Sequence, residues 1–117
     1  MKPVTIYHNP RCSKSRETLA LLEQQQIEPN VILYLETPPS VAELQALLKA
    51  LNFQSARELM RQKESLYSEL KLADNSLTEQ QLLSALAAHP KLIERPIVVK
   101  EGRARLGRPP EQVLEIL

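Results

Sequence analysis

The sequence predicts an α/β domain whose mixed sheet is interrupted by a block of helices. Three observations carry that prediction. The first third alternates short β-branched runs with a helix-period stretch. The middle holds repeated helix-start signatures and little that resembles a strand. The last quarter contains two strand-like runs separated by Glu101-Gly102, a turn pair.

Pro3 to Tyr7 is β-branched and aromatic and predicts the first strand, closed by His8, Asn9 and Pro10, since proline cannot donate to a sheet. A helix is predicted from Ser13 to Gln26, with Leu19 and Leu22 inward and Arg16, Glu17 and Glu23 outward. Asn30 to Leu35 predicts a second strand, of the nearly continuous apolar kind buried on both faces. One helix between two strands predicts a right-handed parallel βαβ unit.

In the middle, Ser40 with Glu43, Ser55 with Glu58, and Ser76 with Glu79 each have the spacing of a capping box, in which two side chains satisfy free N–H groups of a helix start. Leu44, Leu47, Leu48 and Leu51 then line one helix, and Leu82, Leu83 and Leu86 another that ends near His89-Pro90. Ile97 to Lys100 and Arg103 to Leu106 predict a hairpin, and Pro109-Pro110 a last helix with Val113, Leu114 and Leu117 inward. Without its helical block the order is β-α-β-β-β-α, the layout of a thioredoxin-like domain with an inserted helical region. No repeat or linker divides the chain, so one domain is expected over residues 1–117.

The scarce residues exclude several functions. Two glycines, Gly102 and Gly107, cannot build a dinucleotide fingerprint or a Walker-type phosphate loop. One cysteine, Cys12, forms no internal disulfide, and with His8 and His89 it makes no cysteine-rich zinc site, so no metal is expected. A net charge of +1 and the lack of basic tracts argue against nucleic acid or an anionic membrane as partner. The longest apolar run, Val31 to Leu35, is too short for a membrane span or a signal peptide. The cytoplasm is the expected compartment, where a lone thiol stays reduced unless it is used.

The chemistry is expected between His8 and Arg16. There a strand ends, a proline turns the chain and a helix begins beside Cys12. Unpaired N–H groups of a first helical turn favour an anion, and a cysteine so placed tends to ionise near neutral pH. Arg11, Lys14 and Arg16 add positive charge, as would a protonated His8. The competing explanation is a small buried hydrophobe, the commonest use of a free cysteine. Its neighbours, Arg11 and Ser13, make no apolar pocket. An ionised thiol attacks disulfides and electrophilic oxyanion centres.

The segment Ile6 to Arg16, with Tyr7, His8, Asn9, Pro10, Cys12, Ser15 and Arg16 in place, resembles the glutaredoxin-dependent arsenate reductase family. The resemblance continues in order through Leu33 to Ser40, Ser55 to Arg61, Glu94 to Val99 and Gly107 to Pro109. It implies the thioredoxin-like fold, no bound cofactor, and reduction of arsenate to arsenite with glutathione as co-substrate and glutaredoxin as partner. In that family a thiolate attacks arsenic, glutathione joins, arsenite leaves, and glutaredoxin clears the mixed disulfide. Cys12 matches the nucleophile, and the lack of a second cysteine fits a resolving thiol supplied from outside. Ser15 stands where a dithiol oxidoreductase carries its second cysteine, a place from which it could donate to the thiolate. His8 matches a histidine that helps set the thiol's ionisation, or else simply holds the loop.

Arg61, Arg95 and Arg108 match three arginines that hold the oxyanion, and guanidinium suits a tetrahedral oxyanion because it binds bidentately and stays charged. Arg57, one turn before Arg61, could face the site in its place. The resemblance also implies a cis peptide bond at Arg95-Pro96. Two departures stand out: Lys14 enriches the charge beside the thiol, and the chain ends at Leu117, where well-known members run on. The spacing from Cys12 to Arg16 leaves three residues between them, too few for a phosphatase loop. Two alternatives stay open: a regulatory binding module of the Spx type, which its C-x-x-S arrangement disfavours, and a glutathione-linked thiol oxidoreductase with another substrate. A monomer is the default state.

Overall fold

The computed structural model describes residues 3–117. Its residues group into two compact units, the chain up to Thr37 together with Arg95–Leu117, and Pro38–Glu94.

The first unit is a four-stranded mixed sheet of order β2-β1-β3-β4, with β1 at Val4–His8, β2 at Asn30–Leu33, β3 at Ile97–Lys100 and β4 at Arg103–Leu106. β1 runs parallel to β2 and antiparallel to β3, and β3 pairs antiparallel with β4. This is the mixed sheet that the β-α-β-β-β-α order predicts. Alternation along β1 sends Val4, Ile6 and His8 to one buried face. There Val4 and Ile6 join Leu22, Val98, Val113 and Ile116 in an apolar core. Helix α1, Ser13–Gln24, closes over that core with Ser15, Thr18 and Leu22 buried. Its inward stripe is thus polar at the N-terminal end, where it meets His8, and apolar further on. Leu22 is buried as expected, while Leu19 packs only partly against the core.

Two expectations for this unit fail. β2 is not buried on both faces: it is the sheet's edge, it ends at Leu33, and Val31 is 46% exposed. An apolar run reports hydrophobicity but not how many neighbours a strand acquires. The C-terminal segment Pro110–Ile116 is a 3₁₀ helix and buries Pro110, Val113 and Ile116, leaving Leu114 exposed. Three residues per turn place every third side chain inward, so Ile116 takes the place predicted for Leu114. Between β3 and β4 the predicted turn is present, with Glu101 and Gly102 both at positive φ, as the hairpin's twist requires.

The second unit is helical: α2 at Val41–Leu51, α3 at Ser65–Glu69 and α4 at Glu79–Ala88, with 3₁₀ turns at Ala56–Leu59 and Pro90–Leu92. A single β-bridge, Met60 with Ile93, departs from the all-helical expectation. α2 packs on α4, with Leu44, Leu47 and Leu51 buried on one and Leu82, Leu83 and Leu86 on the other. The Ser40–Glu43 capping box opens α2 as predicted. The Ser55–Glu58 box also forms, but it opens the four-residue 3₁₀ turn.

The third predicted box does not form. α4 is capped by Thr78, whose hydroxyl accepts from Gln81 N–H, while Gln81 returns to Thr78 N–H. Glu79 instead takes the Ser55 hydroxyl and Ala56 N–H, at 2.8 and 2.7 Å, and Ser76 hydrogen-bonds Asp74. Thr78→Ala is therefore expected to cost about 1 kcal/mol in urea unfolding, the usual worth of an N-cap, and Ser76→Ala clearly less. Equal losses would place the cap wrongly.

Candidate active site

Cys12 is the residue that precedes α1, in extended backbone, and its N–H donates to Asn9 O at 3.0 Å. Asn9 organises the loop further: its side-chain oxygen accepts Arg11 N–H, and its own N–H donates to Ser15 Oγ at 3.0 Å. Arg16 braces the turn by donating from Nη1 to Pro10 O at 2.9 Å. The thiol sulfur therefore projects from a loop tied at several points to the first turns of α1.

Because β1 alternates, His8 lies on the face that α1 covers, and its Nδ1 sits 2.6 Å from Ser15 Oγ. Burial first, and the Arg16 charge second, push the His8 pKa below its ordinary value. The imidazole is therefore mainly neutral near pH 7, and the positive charge expected from His8 is not supplied there. Ser15 Oγ accepts Asn9 N–H and also shares a hydrogen bond with His8 Nδ1. The serine hydroxyl is thus engaged with the histidine, and it is the main-chain N–H of Ser15 that reaches the thiolate.

The Arg95 and Arg108 side chains come from the two ends of the β3–β4 hairpin. Ile97 pairs with Leu106, and the register continues past the strands: Gly107 N–H donates to Pro96 O at 3.0 Å, and Arg108 Nε donates to Arg95 O at 2.8 Å. Arg108 Nη2 then lies 3.8 Å from Cys12 Sγ. The peptide bond Arg95-Pro96 is cis, as the resemblance implies, and Arg108-Pro109 is cis as well. Burial raises the Cys12 pKa, but the N–H groups of Ser15 and Lys14 and the charges of Arg95 and Arg108 outweigh it. The thiol lies below its usual value, as a nucleophile requires.

Gly107 is a positioning residue that the sequence does not single out. A Cβ there would come closer to Thr18 Oγ1 than any real contact and would stand 2.7 Å from Pro96 Cγ. Only glycine lets the strand end pass between α1 and Pro96.

Arg57 and Arg61 both belong to the helical unit. Arg57 donates from Nε to Leu72 O at 3.0 Å and from Nη2 to Asp74 O at 2.7 Å, so it serves that unit's own loop. Arg61 forms a 3.5 Å ion pair with Glu64 and only a long contact with Lys91 O. That pattern leaves Arg61 less committed than Arg57. Among the described residues, no group of three or more His, Cys, Asp or Glu converges as a metal site, and no helix is long and apolar enough to cross a membrane.

A thiolate flanked by two guanidiniums can attack the centre of a tetrahedral oxyanion while its oxygens are held. Comparison with known proteins agrees with that chemistry. A protein from Haemophilus influenzae named arsenate reductase is 53% identical over 114 residues, covering 97% of this chain and 98% of its own length. An arsenate reductase from Escherichia coli is 49% identical across all of this chain and 82% of its own. The solved arsenate reductase from Vibrio cholerae superposes with a TM-score of 0.98 at 64% identity, covering 99% of this chain and 98% of that one. The ArsC family model matches residues 7–116, and the chain belongs to the ArsC family.

Proposed function

We propose that the protein reduces arsenate to arsenite, with Cys12 as nucleophile and glutathione as co-substrate, in the cytoplasm. The observation that carries this reading is the depressed Cys12 thiol set beside Arg95 and Arg108. The Cys12 thiolate attacks arsenic, a sulfur–arsenic bond forms and hydroxide leaves; arsenic remains pentavalent. The glutathione thiol then attacks the Cys12 sulfur, the sulfur–arsenic bond breaks, and its electron pair departs with arsenic. Arsenite carries away two electrons and the thiol proton, and the two sulfurs are oxidised to a mixed disulfide. A glutaredoxin thiolate removes glutathione from Cys12 and regenerates the thiolate.

Arg95 and Arg108 neutralise the oxyanion and hold its oxygens, and on the resemblance alone Arg61 is the third arginine. His8 and Ser15 hold the loop so that the helix N–H groups stay aimed at sulfur. A coupled assay with arsenate, glutathione, glutaredoxin, glutathione reductase and NADPH is expected to show NADPH consumption that requires all components. Folded protein giving no turnover above background removes the arsenate claim.

A further inference from the structure

Two substrates must meet at Cys12, and the oxyanion side supplies groups for only one of them. Arg95 and Arg108 lie by the sulfur from the β3–β4 hairpin. On the other side of the same loop is a groove of about 270 Å³. It lies beyond the carboxyl ends of the parallel strands β1 and β2, where His8 pairs with Leu33. Asn9, Pro10 and Arg11 line it from the active-site loop, and Leu33, Leu35 and Glu36 from the turn after β2.

The lining does not suit a second oxyanion. Glu36 would repel a dianion, and the leucines offer it nothing. A small zwitterionic peptide fits better. Arg11 offers a cation for a carboxylate, Glu36 an anion for an ammonium, and Leu33 and Leu35 an apolar floor for methylene groups. Among the described residues, neither the Arg11 guanidinium nor the Glu36 carboxylate has a hydrogen bond or ion pair of its own. Leu35 is 44% exposed, so apolar surface remains to be covered. Arg11 adjoins Cys12, and a tripeptide spans on the order of 10 Å. A peptide seated in the groove can therefore bring its central thiol over the end of the loop.

We infer that the groove between the His8–Arg11 loop and the Leu33–Glu36 turn is the binding site for glutathione, distinct from the oxyanion site on the hairpin side. This rests on the proposed role of glutathione as co-substrate. With separate sites, the second thiol reaches sulfur while the arginines still hold the oxygens of the adduct. Leu35→Trp, which fills the groove without changing charge, is expected to raise the KM for glutathione about ten-fold, the loss of a well-placed apolar contact. Glu36→Gln is expected to raise it about three-fold, as suits an exposed charge pair.

The test is titration of the 15N-labelled full chain with S-methylglutathione, which has no free thiol and cannot react. Amide shifts are expected to concentrate at Asn9, Arg11 and residues 33–36, and to weaken in both variants. Shifts centred elsewhere, or none at tens of millimolar peptide, overturn the assignment. So do shifts at these residues produced by glutaredoxin and not by the peptide, which would make the groove a seat for a protein segment. If the chain bound S-methylglutathione in the groove yet turned over no arsenate, the proposed function would fall and the site would stand.

Discussion

Arg108→Ala is expected to lower kcat/KM for arsenate by about two to three orders of magnitude, the usual consequence of removing one donor to a developing oxyanion. The effect has two sources. Nη2 of Arg108 lies 3.8 Å from Cys12 Sγ, so its charge favours the thiolate as well as the substrate oxygens. The pH midpoint for alkylation of Cys12 should consequently move upward in the variant, because the depressed thiol pKa loses one of its causes. Above the new midpoint the thiolate is fully formed in both proteins, so that part of the loss is recovered at high pH. Loss of oxyanion binding is not recovered there. Arg108→Lys should restore little, since lysine cannot keep the Nε bond to Arg95 O while reaching the sulfur. Alkylation rates across pH, with and without arsenate, separate the two contributions. An unshifted midpoint together with undiminished protection by arsenate would remove Arg108 from the site.

Gly107→Ala should be as damaging, by packing. The added methyl collides with Thr18 on α1 and with Pro96, the residue after Arg95. Thr18 is held, being buried with its hydroxyl donating to Lys14 O at 2.8 Å. Overpacking of this kind costs about 1–3 kcal/mol. The strand end must yield, and with it Arg108, the next residue. Stability and activity are therefore expected to fall together, with activity falling further. Thr18→Ala in the same chain removes one of the two collisions and should return part of the stability, a coupling readable in a double-mutant cycle from urea midpoints. Strict additivity of the two substitutions would show that the contact is not what excludes a side chain at Gly107.

The parts of the fold that were legible in the sequence are those settled by near neighbours. β-Branched runs placed β1 and β3, the Ser40–Glu43 spacing placed α2, and Glu101-Gly102 placed the hairpin turn and with it the returning strand β4. Helix α4 shows the limit. Ser76-x-x-Glu79 and Thr78-x-x-Gln81 are equally good local signatures, and the choice is made by Ser55 and Ala56, which are far away in sequence and recruit the Glu79 carboxylate. The edge position of β2 and the need for glycine at position 107 likewise depend on neighbours that no local window contains. In the active site, the placement of Cys12 ahead of a helix was legible, because strand, proline and helix lie within a few residues. The pairing of Ser15 with His8 was not, since both serine–thiol and serine–histidine contacts fit the spacing. Arg95 and Arg108 came into view only through the family resemblance; the hairpin register explains why two residues thirteen apart converge.

The edge position of β2 also bears on how the protein behaves when crowded. Among the described residues, β2 ends the sheet on one side and β4 on the other, so each presents backbone groups that a neighbouring molecule could extend into a longer sheet. β2 is only four residues long and follows Glu28-Pro29, and proline cannot donate to an added strand. β4 opens on the exposed Arg103, whose charge opposes the approach of a second β4, while Arg105 is held by the Glu115 carboxylate at 2.8 Å. Brevity and proline on one flank, and arginine on the other, are the means by which a small open sheet avoids polymerising edge to edge.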